Sequence, residues 1–187
     1  MKNILVLVFL VFFCDILPAQ ESFSHSVGAG GFIGTRKASL HAIGVVYSPR
    51  LNLINVGKSS TLSLGANFGI GYNVDNNFIE ENQITFHIPI IIDYNFGLAS
   101  SNKAQQNKSG GFLGIGYSFE QTGERLNNGN FNDPTLIKKF MNGPLANIGY
   151  RFKIGSKPFV IRLSYLYGTG DFEGGYLTTL SLQYIFK

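Results

Sequence analysis

The chain has 187 residues, of which 44% are hydrophobic, 14% aromatic and only 14% charged. Its 23 glycines, 17 Phe and 9 Tyr exclude a disordered or collagen-like chain and do not suit a soluble helical enzyme. One Cys rules out a disulfide framework and a Cys-based zinc site, and three His beside eleven acids argue against a dedicated metal or redox centre.

Met1-Lys2-Asn3 precedes ten apolar residues, Ile4 to Phe13, and then Leu17-Pro18-Ala19-Gln20. A basic start, a short apolar run and a small residue at its end form a secretory signal peptide. The run is too short to span a bilayer, and Asp15 interrupts any extension. Cleavage is expected after Ala19, which makes residues 1–19 the leader and 20–187 the mature domain. A lipid anchor on Cys14 needs a small residue before it, and Phe13 stands there. Losing the leader removes the lone thiol.

From there the sequence alternates with period two in eight segments. Residues 22–34 and 39–48 are glycine-diluted examples. Within the first, Gly28-Ala29-Gly30-Gly31-Phe32-Ile33-Gly34 looks like a dinucleotide loop only superficially. The third glycine of that pattern would fall on Ile33, and no helical pattern follows, so no cofactor is expected. Residues 61–72 set Leu62, Leu64, Phe68, Ile70 and Tyr72 against Ser63, Gly65, Asn67, Gly69 and Gly71. The clearest segment, 84–97, places Phe86, Ile88, Ile90, Ile92, Tyr94 and Phe96 on one face and Thr85, His87, Pro89, Ile91, Asp93 and Asn95 on the other. Residues 112–120, 145–154, 159–168 and 176–186 repeat the alternation. The pattern predicts an all-β, eight-stranded antiparallel up-and-down transmembrane β-barrel.

Volume assigns the two faces. The bulky face carries about five large side chains per strand, and the interior of an eight-strand barrel is only just wide enough for side chains to fill. The small and polar face is therefore expected inside, with the apolar face toward lipid. Aromatic residues gather at strand ends, among them Tyr72, Tyr94, Phe96, Tyr117, Phe119, Phe152, Tyr167, Tyr184 and Phe186, as two interfacial girdles require.

An even strand number puts both termini on the periplasmic side. Connections 49–60, 98–109 and 155–158 then join them there, while 35–38, 74–83, 122–143 and 169–175 face outward. The periplasmic set with the C-terminus holds Arg50, Lys58, Lys103, Lys108, Lys157 and Lys187 and no acid. The outer set holds five bases against seven acids. The excess basic charge is dispersed over turns, so contact with anionic headgroups is expected and a nucleic-acid partner is not.

The leader, the strand Phe86-His87-Ile88-Pro89-Ile90-Ile91-Ile92-Asp93-Tyr94-Asn95-Phe96 and the ending Leu180-Ser181-Leu182-Gln183-Tyr184-Ile185-Phe186-Lys187 together resemble a small outer-membrane β-barrel protein of the OmpA/OmpX-type class. The resemblance covers nearly the whole mature chain and implies the cell outer membrane as location, with its lipids and the barrel-assembly machinery as partners. It also implies that Tyr184 and Phe186 form the assembly signal, although Lys187 after the Phe departs from the pattern. Pro89 removes one ladder donor, and a local bulge is expected there.

Two lumen-facing groups stand out. Symmetric pairing of the strands around 98–109 places His87 opposite Glu120, with Ser118 beside them. Some barrels of the resembled class modify lipid acyl chains with His, Ser and a carboxylate. No hydrolase-like motif surrounds His87, and a polar pair filling the lumen is the ordinary reading. The second group is Arg151 and Arg162, which symmetry about the 155–158 turn places side by side. Asp93 is the expected anion between them, and Gly114 leaves it room. The expected function is a non-enzymatic barrel serving envelope structure or surface interaction through its outer loops, with an envelope protein as a further partner. The alternatives are a lipid A or phospholipid acyl-modifying enzyme, and a narrow pore or accessory subunit.

Overall fold

A computed structural model describes residues 23–35, 40–74, 84–101, 103–126 and 135–186, so the predicted leader and Lys187 lie outside the described residues. The strands are β1 (Phe23–Thr35), β2 (His41–Gly57), β3 in two segments (Ser60–Ala66 and Phe68–Asn73), β4 (Ile84–Gly97), β5 (Ser109–Leu126), β6 (Thr135–Ile154), β7 (Lys157–Tyr167) and β8 (Tyr176–Phe186). Each pairs antiparallel with its sequence neighbours, and β1 pairs with β8 from His25↔Phe186 to Thr35↔Tyr176. The sheet closes into an eight-stranded ring with no open edge.

The period-two pattern sets the faces. Along β4 every second residue is buried, from Thr85 through His87, Pro89, Ile91 and Asp93 to Asn95, and the bulky apolar residues between them point outward. Among the described residues, 37 large apolar or aromatic side chains are exposed, against 15 buried hydrophobic residues. A barrel stable in water would show the reverse balance. Near the termini the rings of Tyr150, Phe152, Phe159, Tyr184, Phe186, His25 and Tyr47 follow one another around the rim, with centroids 5.2–6.4 Å apart. At the opposite end Tyr117 meets Phe119, and Tyr176 meets both Tyr165 and Tyr167.

Several sequence expectations need correction. Pro89 makes no bulge: the β4–β5 register runs unbroken from His87↔Glu120 to Gly97↔Gly110. On the other side, the pairings Ala66↔Ile90 and Gly69↔His87 keep one register across a gap at Asn67, the position facing Pro89. A missing donor thus interrupts β3 for one residue instead of inserting an extra one. The Asn67 side chain is held there by Ser48 Oγ at 2.5 Å and Gln183 Nε2 at 3.1 Å, both donating to its Oδ1.

Two long connections are shorter than predicted. Residues 49–57 continue β2, with register shifts only between Asn52 and Ile54 and between Asn55 and Gly57. Arg50 is therefore a buried lumen residue and not a turn cation. The stretch 122–143 is largely paired, with β5 and β6 in register out to Leu126↔Thr135. Because β7 pairs β6 only as far as Leu145↔Leu166, this hairpin continues well past the end of β7.

Candidate functional site

The lumen is not uniformly polar, and this too departs from the predicted picture. Toward the loop end, Phe32, Leu40, Ala42, Met141, Leu145, Leu166, Phe172 and Leu177 form one apolar cluster with Val46 and Ile91. The glycine-diluted β1 and the short helical turn Gly170–Phe172 contribute large residues to this plug, which side-chain parity alone does not reveal. Toward the terminal end the lumen is a hydrogen-bonded polar network around a smaller apolar cluster of Phe112, Val160 and Ile185.

His87 and Glu120 sit beside the plug. They face each other across β4 and β5, and His87 Nδ1 is in direct contact with Glu120 Oε2. Ser118 Oγ lies 3.5 Å from the same nitrogen, and Thr85 Oγ1 donates to Glu120 Oε1 at 3.5 Å. All three predicted residues are thus brought together. They are also sealed: His87 is 1% exposed, and Ser118 and Glu120 are 0% exposed. The Phe32 ring lies 5.7 Å from the imidazole, centroid to centroid. A His–carboxylate pair can orient a general base, but a base must reach the proton it abstracts. This arrangement presents neither His87 nor Ser118 to a lipid acyl chain; its chemistry is that of a buried paired charge.

The second group is rearranged. The β6–β7 turn at Gly155-Ser156 pairs Arg151 with Val160 and Arg162 with Gly149, so the arginines are not cross-strand neighbours. They meet through Phe112 of β5, whose ring centroid is 4.6 Å from each guanidinium carbon. A Cβ on Gly149 would lie 2.1 Å from the tip of that ring, so the absence of a side chain there makes the ring's position possible. Asp93 Oδ1 occupies the space over Gly114, where a Cβ would come within 2.1 Å of it. Asp93, expected to bridge the two arginines, instead accepts from Asn147 Nδ2 at 2.7 Å. The close acid–base contact of the lumen is that of His87 with Glu120.

Asn95 is the hub that sequence reading missed. Its Oδ1 accepts from Arg50 Nη1 at 3.1 Å and from Arg151 Nη2 at 2.5 Å, while its Nδ2 donates to Ser63 Oγ at 2.7 Å. Gln183 plays a similar part on the far wall, accepting from Ser26 Oγ at 2.7 Å and Ser48 Oγ at 2.8 Å. Both lie on predicted lumen-facing positions, but nothing in one strand's sequence tells which strand across the lumen they reach. Among the described residues there is no group of three His, Cys, Asp or Glu that could hold a metal ion.

No protein-family model matches this sequence, and no curated protein matches it. Solved structures do. Neisserial surface protein A superposes with a TM-score of 0.57 at 12% identity, over 88% of this chain and 96% of that one. Ail, the attachment invasion locus protein of Yersinia pestis, gives 0.53 at 14% identity over 89% of this chain and all of its own. The N-terminal β-barrel domain of Pseudomonas aeruginosa OprF gives 0.50 at 14% identity, with 89% and 100% covered. At such identities the likeness is one of fold, and the fold this chain shares with them is the small eight-stranded β-barrel of outer-membrane proteins.

Proposed function

We propose that this chain is an integral outer-membrane β-barrel without enzymatic activity, which serves envelope structure or surface interaction through its loop end. The observation that carries this reading is the inverted barrel: an apolar outward face between two aromatic rims, around a lumen filled by side chains. A plug of that kind argues against a solute pore, and the sealing of His87 argues against acyl chemistry. The β5–β6 hairpin supplies a surface for contact beyond the barrel. Residues 135–140 of β6 lie past the buried Met141 and the contact of Asn142 with Thr169, which at strand rise corresponds to roughly 20 Å of hairpin. The surface and attachment-invasion names of two fold neighbours agree with a role at the cell surface.

In this reading residues 1–19 direct export and are removed, Tyr184 and Phe186 are read by the barrel-assembly machinery, and the partners are outer-membrane lipids and an envelope protein. Cell fractionation with N-terminal sequencing tests it. The expected result is a protein in the outer-membrane fraction that begins at Gln20 and migrates differently on gels before and after heating. A protein soluble without detergent, with identical migration, would overturn the reading.

A further inference from the structure

Three guanidiniums converge on the terminal end of the lumen, and one carboxylate shares their layer. Arg50 on β2, Arg151 on β6 and Arg162 on β7 are 8%, 2% and 6% exposed. Arg50 Nη2 donates to the carbonyl of Ala99, and Asn95 Oδ1 serves both Arg50 and Arg151. These partners are neutral. Asp93, the one carboxylate of this network among the described residues, accepts from the neutral Asn147 and so faces three cations with a single negative charge. Phe112 covers a face of Arg151 and of Arg162, which orients them without supplying a negative charge.

One deeply buried nitrogen of each arginine lacks a partner. Arg50 Nε, Arg151 Nη1 and Arg162 Nε are buried without a hydrogen-bond partner. All three side chains line one cavity of about 20 Å³, space for a single water-sized or slightly larger sphere. Among the described residues no acidic side chain lines it. It shares Ser24, Arg50 and Ile185 with a larger vestibule of about 450 Å³ at the terminal mouth, whose lining among the described residues holds Lys153 and no acid. An ion can enter from that side through a positive funnel. Buried positive charge in excess of its counter-charge is destabilising, and a neutral water would satisfy donors without reducing that excess.

We infer that this cavity is a binding site for one small monovalent inorganic anion of halide size, held by Arg50, Arg151 and Arg162. The anion offsets one of the two positive charges that Asp93 leaves uncompensated and ties β2 to β6 and β7 across the barrel. The inference stands apart from what the loop end does at the surface.

Bromide is the probe. The protein purified in detergent is crystallised from sodium bromide, and its anomalous scattering is mapped. Its thermal unfolding is followed in parallel from sodium gluconate to sodium bromide at fixed ionic strength. The expected result is an anomalous peak in contact with at least two of the three guanidiniums. The unfolding midpoint should rise with bromide by about 3 °C per tenfold increase above the dissociation constant. Arg162→Gln should lose both the peak and the bromide dependence. If that variant does not fold, the wild-type peak and its titration decide alone. A cavity without bromide, bromide in the vestibule only, or a midpoint indifferent to the anion would overturn the inference.

Discussion

Phe186 lies flat on His25, with ring centroids 5.2 Å apart and planes 6° apart. The two residues are also cross-strand partners, so the stack sits on the seam where the last strand closes against the first. His25 Nδ1 is in turn 2.6 Å from the Tyr47 hydroxyl, which extends the contact to β2. The terminal aromatic is thus part of the closing joint of the ring.

Phe186→Ala removes that stack and a partly exposed ring, a loss of at most about 1–3 kcal/mol of burial. The barrel should still refold into detergent with nearly normal yield. In cells, the amount reaching the outer membrane should fall severalfold if the terminal strand is the proposed assembly signal, read before the seam closes. Quantifying heat-modifiable protein in membrane fractions checks this, and normal insertion of the variant would remove Phe186 from the assembly signal.

Ile90 and Ile91 are neighbours with opposite environments, 57% and 0% exposed. Ile90→Arg should cost about 2–4 kcal/mol in lipid if the residue meets the bilayer midplane. A water-soluble barrel would accept it within about 0.5 kcal/mol. Ile91→Ser should also destabilise, by about 2–4 kcal/mol, because it opens a gap in the plug. Urea titrations of both variants in liposomes measure the two costs.

The two isoleucines mark what the sequence made legible. Alternation along 84–97 gives the strand, its faces and, with a symmetric turn, the meeting of His87 and Glu120. The turn between β6 and β7 defeated the same argument, because moving its centre by one residue moves the facing partner by two and separates Arg151 from Arg162. Contacts through the lumen were beyond reach for another reason. Strand tilt decides which residues share a level, so Asn95 meeting Arg50, or Phe112 lying between two arginines, leaves no mark in any single segment. The plug was hidden because Phe32, Met141 and Phe172 come from glycine-rich or predicted loop stretches where the alternation is weak.

Removing half of the His87–Glu120 pair strands a charge in a sealed site. His87→Leu should therefore destabilise by about 3–5 kcal/mol, while His87→Leu with Glu120→Leu should recover most of that loss. The double-mutant cycle in urea measures the coupling. Phospholipid hydrolysis by the purified wild type should stay at the vesicle blank; turnover that disappears in the folded double variant would instead make the pair catalytic.

Gly149→Ala places a methyl group against Phe112 and should cost about 1–3 kcal/mol by displacing the ring from Arg151 and Arg162. Combining it with Phe112→Leu should soften the penalty. Additive losses in the double variant would mean that the steric conflict lies elsewhere.

The central claim is that the apolar face meets lipid. Cys14, the only cysteine, lies in the predicted leader, so single cysteines can be introduced into the mature chain without further changes. Spin labels at Ile90→Cys and Ile115→Cys, both on the outward face, would be examined in liposomes for collision with oxygen and with a water-soluble nickel chelate. The account predicts frequent collisions with oxygen and few with the chelate at both positions, and little contact with either at Ser63→Cys in the lumen. Ready access of the nickel chelate to the labels at positions 90 and 115 would contradict it.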